Sequence, residues 1–179
     1  MYRGHLFLSH SIVPSVHRLK LIHLAMKTDS LIQKEVMKKL AHEPILNACE
    51  IGVSVKNGVV TLSGIVNTYA KKVAAEEATK SVIGVTGIAE DIEVRVNEVG
   101  KRPDSEIAQA VLNALHWNSS VPANQIRVIV DKGWATLEGE VAWEYEHKAA
   151  ISVVQSLAGV VGITDKIYIV PSYKIKNLV

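Results

Sequence analysis

Val53-Ser54-Val55-Lys56-Asn57-Gly58-Val59-Val60-Thr61-Leu62-Ser63-Gly64 returns 75 residues later as Val128-Ile129-Val130-Asp131-Lys132-Gly133-Trp134-Ala135-Thr136-Leu137-Glu138-Gly139. Each copy alternates apolar and polar residues on either side of a two-residue turn. That period of two marks a half-buried strand. Asn57-Gly58 is a strong hairpin signal, because a type I′ turn needs positive φ at both central residues. The hairpin sets Val55 against Val60 and Val53 against Leu62 on one face, so register and pattern agree. In the second copy Gly133 keeps the permissive residue, while Lys132 takes a turn position that asparagine tolerates better.

The match extends outward without a gap. From Asp29 to Val94 against Asp104 to Ile169, about 22 of 66 positions are identical, and self-similarity at a fixed period defines repeated units. Upstream of each hairpin, Ile32, Val36 and Leu40 recur at helical spacing, echoed by Ile107, Val111 and Leu115. Asp29 and Asp104 precede these runs, where a carboxylate can cap free backbone N–H groups. Downstream, a second helix is predicted over about residues 68–82 and 143–157. Its inward stripe is Ala74, Ala78 and Val82 in one copy and Ala149, Val153 and Leu157 in the other. Gly84 and Gly159 are placed as helix-ending glycines. A third strand then carries Ile88, Ile92 and Val94, or Ile163, Ile167 and Ile169.

These elements predict an α+β protein of two tandem αββαβ modules, each a three-stranded mixed sheet with two helices on one face. The modules span residues 29–96 and 104–170, joined by a linker at 97–103. Residues 1–28 form an extension, read as disordered or non-native with a natural start at Met26. Residues 171–179 lead, one full period on, toward a third module.

A resemblance accompanies this order. The Asn-Gly hairpin, the strand Val60 to Val66, Ala74-Ala75 in the second helix and Gly84-Val85 before the last strand are similar to the BON domain. The second copy shows the same features at Ala135 to Val141, Ala149-Ala150 and Gly159-Val160. The resemblance implies a non-enzymatic, transport-associated domain of the bacterial envelope, linked to osmotic stress and phospholipid surfaces. A phospholipid surface or an envelope protein is then the expected partner. An intracellular protein–protein scaffold is the alternative. The family resemblance points to periplasm or envelope, yet residues 1–25 show no unbroken apolar run of signal-peptide length. No run reaches the ~18 apolar residues of a membrane span.

Charge and chemistry narrow the function further. The repeats carry net charges of about −2 and −4, and the positive excess lies in the flanks, including Arg95, Lys101 and Arg102 between them. Two acidic modules are a poor platform for a phosphate backbone, so nucleic acid is not expected. Gly84-Val85-Thr86-Gly87 and Gly159-Val160-Val161-Gly162 have GxxG spacing, but they join a helix to a strand and lack central cations, so they read as structure. Cys49 is alone and the histidines do not repeat between copies. No metal site, cofactor or catalytic residue is expected. Gly58, Gly133, Gly64, Gly139, Gly84 and Gly159 are assigned to turns and caps.

What distinguishes the second module is tryptophan. Trp117, Trp134 and Trp143 stand where the first has His42, Val59 and Thr68. Strand alternation turns Trp134 and Ile129 to the outer sheet face. Trp143 falls at the start of the second helix, and Trp117 in the loop after the first. These four residues are the candidate interface, because indole rings suit boundaries between wet and apolar surroundings.

Overall fold

A computed structural model describes residues 27–46, 50–96 and 101–170. The proposed extension, the start at Met26, Cys49 and the tail leading toward a third module lie outside the described residues. The first module runs α1 (Asp29–His42), β1 (Ile51–Lys56), β2 (Val59–Val66), α2 (Tyr69–Lys80) and β3 (Gly87–Val94). The second runs α3 (Asp104–Trp117), a short 3₁₀ turn (Ala123–Gln125), β4 (Ile126–Asp131), β5 (Trp134–Val141), α4 (Glu144–Gln155) and β6 (Gly162–Ile169).

Each module has its own sheet, ordered β1-β2-β3 and β4-β5-β6. The hairpin pairs are antiparallel, with Val53 opposite Leu62 and Val55 opposite Val60. The third strand is parallel to the second, since an α-helical crossover lies between them. Helices cover one face. Ile32, Val36 and Leu40 of α1 meet Val60, Leu62 and Val66 of β2 in one core; Ile107, Val111 and Leu115 of α3 meet Ala135, Leu137 and Val141 of β5 in the other. The cores are small and aliphatic, as domains of this size require.

Four local expectations are corrected. Asp29 and Asp104 do not cap their helices: Thr28 caps α1 and accepts from the Leu31 amide, while Pro103 stands at the cap of α3 without a side-chain bond. Each aspartate instead clasps the hairpin turn. Asp29 accepts from the Asn57 and Gly58 amides at 2.7 and 2.9 Å, and Asp104 from the Lys132 and Gly133 amides at 2.7 and 2.8 Å. A turn with two consecutive positive-φ residues (Asn57 at 52°, Gly58 at 78°) points adjacent N–H groups outward, where one carboxylate can take both. Secondly, the inward stripe of the second helix keeps Ala78 and Val82 in the first module but takes Ala75 in place of Ala74, and in the second module it runs through Ala150 and Val154 in place of Ala149 and Val153. Thr79 is fully buried at the position of Val154, its hydroxyl donating to the Ala75 carbonyl, so a polar residue masked the stripe. Thirdly, α2 and α4 end at Lys80 and Gln155, capped by Ser81 and Ser156. Gly84 and Gly159 sit further on, at φ of 105° and 93°, inside the loop that bonds back to the hairpin turn. Finally, Trp117 is the last residue of α3 and not a loop residue.

Gly64 and Gly139 serve close approach: a Cβ there would fall 2.0 and 2.1 Å from the carbonyl oxygens of Glu50 and Gln125. The modules touch through α2 and α4. Tyr69, at the start of α2, packs against the second core. Burial, then the Glu90 and Glu76 charges, push its phenol above the ordinary value, against a hydrogen bond from the Ile163 backbone.

Candidate functional site

The outer face of the second sheet carries Arg127, Ile129 and Asp131 on β4, Trp134, Thr136 and Glu138 on β5, and Thr164, Lys166 and Tyr168 on β6. The alternation of Ala135, Leu137 and Val141 into the core dictates this placement. Ile129 is paired with Thr136, one step diagonal from Trp134, close enough for an indole to share its surface. Both remain about half exposed, at 49% and 48%.

Trp134 is held flat on the sheet. Its partner in the parallel register is Gly162, and a Cβ on Gly162 would come within 2.5 Å of the ring. The indole Nε1 donates to Thr164 Oγ1 at 2.7 Å. The ring therefore uses the missing side chain as a floor and presents its other face outward. In the first module the corresponding pair is Val59 over Gly87. Beyond the patch, Lys166 bonds Glu138 at 2.9 Å; this cation holds the Glu138 carboxyl below its ordinary range and is itself held above its own.

The structure brings Trp134 and Ile129 together and sets the other two tryptophans apart. Trp143 lies past the far end of β5, a strand that begins at Trp134 and runs roughly 23 Å at strand rise. It occupies the N-cap of α4, where an indole cannot accept a hydrogen bond; Glu146 reaches back to the Ala142 and Trp143 amides at 2.9 and 3.0 Å. Trp117 ends α3, whose other end is clasped to the hairpin turn. Trp117 and Trp143 thus lie toward the end of the module away from Trp134, exposed at 85% and 57%.

His147 and His42 make structural contacts. His147 Nε2 and Asp165 Oδ2 lie 2.6 Å apart, joining α4 to β6. The same two positions in the first module hold Lys72 and Glu90, 3.7 Å apart. His42 Nδ1 donates to the Lys38 carbonyl. Among the described residues, no group of three or more His, Cys, Asp or Glu is arranged for a metal ion, and no helix is long and apolar enough to cross a membrane. The sequence reading missed the aspartate clasps, the Gly162 floor and Tyr69. The first two had a signal, since Asp29/Asp104 and Gly87/Gly162 are identical between copies. Tyr69 had none, because Glu144 replaces it.

The model of the family described as "BON domain" matches residues 28–96 and 103–171. Over 141 residues the chain is 26% identical to osmotically-inducible protein Y of Escherichia coli (strain K12), an alignment covering 76% of this chain and 70% of that protein. Two structures of CdsD, a structural protein of the type III secretion system of Chlamydia trachomatis, align at 16% and 14% identity. They cover 92% and 88% of this chain and 80% of each structure, with TM-scores of 0.35 and 0.34.

Proposed function

The chain belongs to the BON domain family, and from that premise we propose that it is a non-enzymatic binding module of the bacterial envelope or osmotic-stress response. In this reading it contacts phospholipid surfaces through the outer sheet face of the second module. The observation that carries it is Trp134, pinned over Gly162 with one ring face outward beside Ile129. A rigid, amphipathic ring loses little conformational freedom on entering an interface. Similarity to a protein named for osmotic induction supports the stress setting.

The test is co-sedimentation with vesicles of phosphatidylcholine alone and of phosphatidylcholine mixed with phosphatidylglycerol. Trp134→Val is the informative variant, because valine already occupies this position over Gly87. Together with Ile129→Ser it should weaken vesicle binding roughly tenfold, about 1.4 kcal/mol, with the melting temperature nearly unchanged. Vesicle binding that the double variant leaves intact would sink this face. Absence of vesicle binding in the unaltered protein would favour the intracellular scaffold alternative.

A further inference from the structure

The positive charge between the repeats is not used by the sheet face, and the structure gives it a place. Arg95, Lys101, Arg102 and Lys132 line a cleft of about 350 Å³ between the linker and the second module, with Asp104 and Ile107. We infer that this cleft binds a phosphate-bearing anion. Among the described residues lining it are four cations and the Asp104 carboxylate, which is committed to the Lys132 and Gly133 amides; of the cations, Arg95 and Lys101 are already engaged, which leaves Arg102 and Lys132 to face the cleft. Arg102 and Lys132 have no ion pair among the described residues, while Arg95 is shared with Glu93 at 2.9 Å. Arg102 packs its Cβ against Gly159, 3.7 Å from where a Cβ would stand there.

Lys132 is the second pointer. It holds φ of 50° at a turn position where the first module has Asn57 at 52°. Asparagine adopts that conformation readily and lysine does not, so the second module keeps a cation there against its local preference. Strain at one residue, maintained beside a converging set of charges, is the pattern expected of a binding position. Arginine forks suit phosphate oxygens, and lysine adds a point charge. The cleft also opens at the N-terminal end of α3, whose dipole favours an anion. Inorganic phosphate, a soluble phosphoester and a lipid headgroup share this chemistry. The cleft adjoins the Trp134 face, since Gly133 and Val161 precede Trp134 and Gly162, so the soluble anions and the Trp134→Val background keep its test apart from that reading.

Backbone amide shifts of Gly133, Gly159 and Val161 are followed by NMR in the full chain during titration with inorganic phosphate and with glycerol phosphate. Parallel samples receive phosphatidylglycerol or phosphatidylcholine vesicles. Saturable shifts with the soluble anions identify a free phosphate or phosphoester ligand. Response to phosphatidylglycerol vesicles alone that persists in Trp134→Val and is lost in Arg102→Gln identifies a lipid headgroup in the cleft; either outcome supports the site, and a vesicle response that Trp134→Val abolishes counts against it. Arg102→Gln with Lys132→Asn should weaken the response at least tenfold. Lys132→Asn alone, which restores the first module's residue and keeps the turn, should weaken it several-fold. Amides that move with no probe, or move equally in these variants, would overturn the inference.

Discussion

Removing the Asp104 carboxylate should destabilise the second module selectively. It accepts two amide hydrogen bonds, at 2.7 Å from Lys132, where the bond is exposed, and 2.8 Å from Gly133, where it is half-buried. A hydrogen bond to a charged group contributes about 1.5–3 kcal/mol at full effect. Solvent screening reduces the exposed one, so Asp104→Ala should cost about 2 kcal/mol for the pair. For a domain of this size each kcal/mol shifts the melting temperature by roughly 4–8 °C, giving a fall of about 8–16 °C. Asp104→Asn keeps one acceptor and should lose about half as much. Lys132→Asn should act in the opposite direction, by on the order of 1 kcal/mol, because it relieves a lysine at positive φ. All three tryptophans lie in the second module, so thermal melting followed by tryptophan fluorescence isolates it without dissection. Asp29→Ala, the matching change in the first module, serves as the control and should move this transition little. An Asp104→Ala melting temperature within about 2 °C of the unaltered protein would refute the clasp as a stabilising contact.

Gly162→Ala should cost about 1–3 kcal/mol and shift tryptophan emission to the red, since the new Cβ meets the Trp134 ring at 2.5 Å. Adding Trp134→Val should recover the stability, and failure of that rescue would refute the floor. Tyr69 has its pKa raised above the ordinary 10.0, chiefly by burial, so its docking contribution is full below pH 10 and is lost as pH rises through the docked value. Small-angle scattering should show the modules separating in that alkaline range, while Tyr69→Ala should show them loosened at neutral pH as well.

The fold was legible because the repeat supplied every constraint twice. Ile51, Val53 and Val55 alternate on one strand, and Ile126, Val128 and Val130 on its copy, so the inward face had only one consistent assignment. What sequence could not give was where side chains of long sequence separation meet. Asp29 stands 28 residues before the Asn57 amide it holds, and a carboxylate ahead of a helix has a nearer explanation as a cap. Thr79 is polar and stands outside the predicted apolar stripe, yet its hydroxyl is satisfied within its own helix, which lets it sit inside an apolar core. The outward direction of Trp134 followed from alternation. Its flat attachment did not, because that depends on the parallel register that sets it against Gly162.

The two modules show how one scaffold diverges at fixed positions. Asn57, Val59 and Thr68 each satisfy the local geometry they occupy: a positive-φ turn, a glycine floor, a helix cap. Lys132, Trp134 and Trp143 stand at the same three places and meet those demands less directly. Lysine is strained in the turn, tryptophan needs the Thr164 hydroxyl, and the cap has passed to Glu146. Stability alone would favour the first set. Replacing the second set by the first, as Lys132→Asn, Trp134→Val and Trp143→Thr together, should therefore leave a second module at least as stable that binds the proposed anion several-fold more weakly and vesicles less tightly. A triple variant that melts lower than the unaltered protein would show instead that these residues hold the module together, and the division between scaffold and binding positions would fall.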